Sequence, residues 1–164
     1  VSAYDVATWA DFAIAAAGAA AALTGLIFVA VSFNLRALLE GGRFPGRAAQ
    51  TLAVLMCLVV VTLLLLMPGQ SATALGLEII TAAALVALPT VMWAATTTWP
   101  EAEPRHWGWF TLFSTLLPMG LLLVAGTAVA VGSFGGLYWL GAAVVTGLAL
   151  GVFNAWVLLV EINR

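Results

Sequence analysis

Few side chains among these 164 residues can do chemistry, and their positions limit what they can do together. Glu78 stands inside the apolar run Ala74-Leu-Gly-Leu-Glu-Ile-Ile-Thr-Ala82, about two helical turns from its start. A charged carboxylate in hydrocarbon costs about 3 kcal/mol or more. Glu78 should therefore be protonated, hydrogen-bonded or wet, and if wet it would serve as a proton or cation site on a path whose mouth carries Asp5 and Asp11. Ser133, in Gly132-Ser-Phe-Gly135, and His106 are the nucleophile and base types of an acyl-transfer dyad, which works only when the two share one depth. Cys57 is alone, which excludes a disulfide within the chain and a cysteine metal cluster. The single His excludes bis-histidine haem ligation, and no metal or other cofactor is expected. Without a glycine-rich loop followed by Lys there is no Walker-type site, and neither a nucleotide nor a nucleic acid is an expected partner.

The elements that must position these groups follow from composition. Apolar residues make up 64% of the chain, charged ones 7%, and there is no lysine, so most of the surface must face lipid. A hydrocarbon core of about 30 Å takes roughly 20 apolar helical residues per crossing. The expected fold is accordingly all-α: one integral membrane domain over residues 1–164, a bundle of five transmembrane helices at about 10–35, 48–67, 72–97, 108–131 and 137–160. No basic residue precedes the first run, so it reads as a retained helix rather than a secretory signal. Pro68-Gly-Gln-Ser71 and Gly132-Ser-Phe-Gly-Gly136 are tight turns, with Ser71 placed to cap span three. Residues 36–47 and 99–107 are the two long polar connections.

Five crossings put both long connections and the C-terminus on one side. That side holds every positive charge: Arg36, Arg43, Arg47, Arg105 and Arg164. The positive-inside rule makes it cytoplasmic, with the N-terminus outside. Tyr4, Trp9, Tyr138 and Trp139 would anchor the outer interface, and Trp99, Trp107 and Trp109 the inner one. Ser133 then lies outside and His106 inside, which dismantles the dyad within one chain.

No arginine lies on the side of Glu78, so its expected partners are hydroxyls at similar depth, Thr62, Thr127 or Thr146. In span five, Ala143, Gly147, Gly151, Asn154, Leu158 and Glu161 form one stripe at helical spacing. Its Gly147 and Gly151 form a GxxxG pair that allows close helix approach, either to the small stripe Gly18, Ala22 and Gly25 of span one or to another subunit. Near the cytoplasmic surface Asn34, Arg36, Arg47, Gln50, Asn154 and Glu161 reach one depth and could close a polar network, with Glu161 pairing Arg36 or Arg47. Pro89 and Pro118 should kink antiparallel spans at similar depth, each freeing a carbonyl four residues earlier, at Leu85 and Ser114.

The segments Leu23-Thr-Gly-Leu-Ile-Phe-Val-Ala-Val-Ser-Phe-Asn-Leu35, Pro68-Gly-Gln70, Gly136-Leu-Tyr-Trp139 and Ala155-Trp-Val-Leu-Leu-Val-Glu-Ile-Asn-Arg164 carry a resemblance over nearly the whole chain. The chain resembles a family of small bacterial five-helix membrane proteins, some of which bear the label "modulator of FtsH protease". The resemblance implies a multi-pass protein of the bacterial plasma (inner) membrane and transfers no functional residue. With no catalytic set in sight, the expected function is not enzymatic. It is association, as a homo-oligomer or as an accessory or regulatory partner of another membrane protein; the alternative is a small homo-oligomeric ion or proton channel or transporter lined by Glu78.

Overall fold

A computed structural model describes residues 3–33, 44–96 and 105–162, with side chains placed at 3–33, 46, 48–95 and 109–157. Among the described residues the chain is all-helical. A 3-10 turn, Val6–Trp9, leads into α1 (Ala10–Phe33), followed by α2 (Phe44–Leu65), α3 (Ala72–Thr96), α4 (Arg105–Val131) and α5 (Leu137–Ile162). Each of these five helices is long and apolar enough to cross a bilayer. Helices α2 and α4 begin at Phe44 and Arg105, earlier than the expected Ala48 and Gly108. Pro45 does not prevent this, because amides in the first turn of a helix have no intrahelical acceptor to lose.

Two short turns fix the up-and-down order. Ser71 caps α3: its hydroxyl accepts from the Ala74 amide at 3.2 Å and its carbonyl from the Leu75 amide at 3.0 Å. Helix α4 ends where Gly132, at φ 71°, reverses the chain, and the amides of Gly132 and Ser133 both donate to the Ala128 carbonyl. Phe134, Gly135 and Gly136 continue this turn at positive φ. The two turns and the start of α1 share one end of the bundle, called here the short-turn end. The other is the arginine end, from which the long connections leave.

Helix α2 touches the other four helices and is the centre of the bundle. Its buried Leu58, Val61 and Leu65 share one core cluster with Met119, Leu122 and Ala125 of α4 and Leu140 and Val144 of α5. Half of the residues of the second and fourth spans are buried, against 17% in the first. Helix α1 is thus peripheral, and its inward face is the small row Ala13, Ala16 and Ala20 with Ile27. Leu26, Phe28, Phe33, Leu85 and Val131 point outward, where lipid tails accept them without penalty.

The segment before α1 is tied to the far end of the chain. The Leu137 amide, at the start of α5, donates to the Ala3 carbonyl at 2.8 Å, and the Gly135 amide to the Tyr4 hydroxyl at 3.1 Å. Trp9 stacks edge-on against Phe12 and Tyr138 and covers Gly141. Tyr4, Tyr138 and Trp139 are exposed at this end as expected, whereas Trp9 is half-buried in the clasp. Trp109 is exposed toward the arginine end, and Trp93 and Trp156, not foreseen as anchors, join it there. Trp99 and the side chain of Trp107 lie outside the described residues.

Candidate functional site

Glu78 sits on the seventh residue of α3, about 9 Å along the helix from its start. Its hydrogen-bond partner is Gln70, not one of the three hydroxyls expected, Thr62, Thr127 or Thr146. Gln70, in the turn that precedes α3, donates from Nε2 to Glu78 Oε2 at 2.8 Å. Thr62 donates to the carbonyls of Leu58 and Val59, and Thr127 to those of Leu123 and Val124. Hydroxyls inside a helix reach carbonyls about one turn away, and once so engaged they have no proton left for a carboxylate. The second N–H of Gln70 points at Met67 Sδ, 3.7 Å away. Gln70 Oε1 is buried and receives no hydrogen bond.

Asp5 and Asp11 are not drawn to Glu78. The Asp5 carboxylate accepts from the Ala7 amide at 3.1 Å and caps the 3-10 turn, and its carbonyl accepts from Thr8. Asp11 is exposed in the first turn of α1, where a negative charge complements the helix dipole. Helix α3 packs on α4 and α2, while α1 packs on α2 and α5, so the acidic groups sit on different flanks of the bundle.

The GxxxG pair of α5 is occupied within the chain. A Cβ on Gly147 would lie 2.8 Å from Leu58 Cδ1 and 3.3 Å from Pro118 Cβ, and one on Gly151 3.0 Å from Leu55 Cδ2. Both glycines receive α2 leucines, and Gly147 also takes the ring of the buried Pro118. The partner is therefore α2 with α4, not the small stripe of α1. In α1, Gly18, Ala22 and Gly25 are exposed, and a Cβ on either glycine would meet nothing within 4 Å. A close helix approach falls instead at Gly76 of α3 and Gly126 of α4, which stand in the small-xxx-small patterns Ala72-x3-Gly76 and Gly126-x3-Ala130 rather than in a pair of glycines. A Cβ on Gly76 would stand 2.5 Å from the Gly126 carbonyl oxygen and 2.7 Å from Ala130 Cβ.

Toward the arginine end two of the residues expected in a polar network, Asn154 and Gln50, each make an interhelical contact. Asn154 donates to Ser114 Oγ at 3.1 Å, and Ser114 donates to the Thr111 carbonyl at 2.9 Å, joining α5 to α4. Gln50 reaches Thr90 Oγ1 at 3.5 Å, joining α2 to α3, and Thr90 donates to the Val86 carbonyl. With buried Thr51 and Thr115 these groups make a polar layer across four helices. Among the described residues serine and threonine supply its other members, and sequence alone offered no way to tell them from ordinary helix hydroxyls. Asn34 and Arg36, and the side chains of Arg47 and Glu161, lie outside the described residues. Pro89 is exposed and Pro118 buried, each inside an unbroken helix.

Ser133 follows the end of α4 and His106 belongs to its first turn, so the length of a 27-residue helix, about 40 Å, separates them. Among the described residues no three His, Cys, Asp or Glu side chains come together. The geometry thus offers two interhelical polar contacts, one capped carboxylate and one open small-residue face. No family model, curated protein or solved structure matches the chain.

Proposed function

We propose that the protein acts without catalysis, by associating with a second copy of itself through α1, in the inner membrane of a bacterium with its arginine end in the cytoplasm. The observation that carries this reading is the open face of α1. Lipid-facing helices gain from large side chains that fill the irregular acyl surface. Gly18, Ala22 and Gly25 instead leave a shallow groove of backbone, which suits close approach of another helix where dispersion contacts drive association. The same small-residue logic is already satisfied in α5 and in the Gly76 and Gly126 crossing, which leaves α1 as the small face with no intramolecular partner helix. The one-sided arginines support the orientation.

The test is a subunit count in membrane patches excised without detergent exchange. Wild type should give dimers, and Gly18→Leu with Gly25→Leu should give monomers while the unfolding midpoint is unchanged. A monomer for wild type, or a dimer that survives both substitutions, refutes the reading. The ion-path reading gains little support, because the Glu78 carboxylate is engaged by Gln70 and stands apart from Asp5 and Asp11. Proton or cation flux into liposomes that disappears in Glu78→Gln would reinstate it.

A further inference from the structure

Phe134 sits in the turn between α4 and α5 in a way that costs the fold and returns little to it. Its φ is 63°, the left-handed region that bulky side chains disfavour, and among the described residues it is the one non-glycine residue at positive φ. The neighbouring positive-φ positions of the same turn, Gly132, Gly135 and Gly136, carry no side chain. The Phe134 ring is 82% exposed, so packing within the chain does not offset the strain. The conformation is nonetheless held on both sides. Trp139 Nε1 donates to the Phe134 carbonyl at 2.6 Å, the Gly135 amide donates to the Tyr4 hydroxyl at 3.1 Å, and the Ser133 amide donates to the Ala128 carbonyl. The backbone is fixed while the ring projects, and the contact that compensates it lies outside the chain.

Depth identifies that contact. The apolar span Trp109–Val131 of α4 has 23 residues, about 34 Å of helix, against a hydrocarbon core of about 30 Å. Val131 ends this span, and Phe134 follows three residues later, at the boundary between acyl chains and headgroups. Exposed Val131 and Tyr138 flank the turn, which makes its surface a continuation of the lipid-facing surface of α4 and α5. Residues 132–136 carry no charge, so nothing obliges the turn to stay in water.

We propose that the turn of residues 132–136 is a membrane anchor in which Phe134 inserts into the acyl–headgroup boundary of the leaflet at the short-turn end. Tyr4 and Trp139 hold the backbone that presents it. The phenyl ring has no polar atom to keep in water and gains from burial among acyl chains, while the Tyr4, Tyr138 and Trp139 rings around it can keep their polar tips among the headgroups. The anchor is independent of association through α1.

Para-fluorophenylalanine at position 134 keeps the ring and gives it a single fluorine. In phosphatidylcholine nanodiscs its fluorine resonance should be lost when the lipid carries a nitroxide near the top of the acyl chain, and should persist when a gadolinium chelate is added to the water. The same label at position 28, where the native Phe28 points outward from α1, supplies the response of a ring in lipid. Loss of the position-134 resonance to the chelate overturns the anchor, because the ring then stands in water. Persistence with both agents also overturns it, because the ring is then covered by protein.

Discussion

Gly76 and Gly126 meet backbone to backbone: a Cβ on the first would lie 2.5 Å from the carbonyl oxygen of the second, and one on the second 2.7 Å from the carbonyl oxygen of the first. Neither neighbour can give way as a side chain could, since each carbonyl is held in its own helix ladder. Around this crossing α3 and α4 make the most extensive packing in the bundle. The contact gains dispersion energy that no pair of larger residues could reach at this spacing, which is the means of cohesion open to helices in lipid.

Gly126→Ala should therefore cost about 3 kcal/mol, the upper part of the range for overpacking a tight interior. Gly120→Ala, in the same helix with nothing within 4 Å of the added carbon, should be neutral or slightly stabilising. Reversible unfolding in mixed micelles compares the two directly. Equal effects would show that helix propensity, not the crossing, sets the response.

Gly147 makes a different prediction, because what its Cβ would meet first is the end of a flexible side chain. Leu58 Cδ1 is 2.8 Å away and can rotate, so Gly147→Ala should cost only about 1 kcal/mol. Leu58→Ala should cost about 2–5 kcal/mol in the wild-type background, and less in Gly147→Ala, whose methyl fills part of the vacated space. Additive costs in the double variant would place the two residues out of contact. Substitution of Gly147 thus reports on folding, and the association test belongs to Gly18 and Gly25.

What the sequence made legible follows from where information is periodic. Five runs of apolar residues, the two turns and the Ser71 cap were readable because length, glycine, proline and capping chemistry act locally. Partner choice was not. Gly147 and Gly151 stood out because they are paired four residues apart, yet they receive leucine side chains, and a close backbone approach uses two glycines with no second glycine four residues away. Gln70 was read as a turn residue only, since nothing in a turn's sequence says which helix its side chain reaches. Two of the hydroxyls expected around Glu78, Thr62 and Thr127, bond their own helix, an option open to any Thr in any helix.

Asn154 and Ser114 give the third prediction. Their 3.1 Å hydrogen bond crosses from α5 to α4, and the Ser114 hydroxyl in turn donates to the Thr111 carbonyl. Interhelical hydrogen bonds in membranes are worth about 0.6 kcal/mol on average, because the separated helices find other partners. A double-mutant cycle with Asn154→Ala and Ser114→Ala should return a coupling of about 0.6 kcal/mol. A coupling of zero would mean that the polar layer is held by packing alone.

The fourth prediction concerns the clasp that ties the N-terminal segment to α5. The first amides of a helix lack intrahelical acceptors, and here the Ala3 carbonyl supplies one for Leu137 while the Tyr4 hydroxyl accepts from Gly135. Tyr4→Phe removes one of these two bonds and keeps the ring, so the Gly135 amide should exchange roughly fivefold faster, the equivalent of about 1 kcal/mol, with Leu137 less affected. Gly136→Ala should do more. Gly136 holds φ 49°, and a Cβ there would run into the Ala3 carbonyl and the Tyr4 ring, so the segment must lift away. Both amides should then lose protection together, and Trp9, which stacks on Tyr138 and covers Gly141, should redshift its fluorescence as water reaches it. Because α1 has the least buried of the five spans, loss of the clasp should also loosen α1 from the bundle while leaving the α3 and α4 crossing intact. Slow exchange at Leu137 in Gly136→Ala would show that α5 is capped by something other than Ala3.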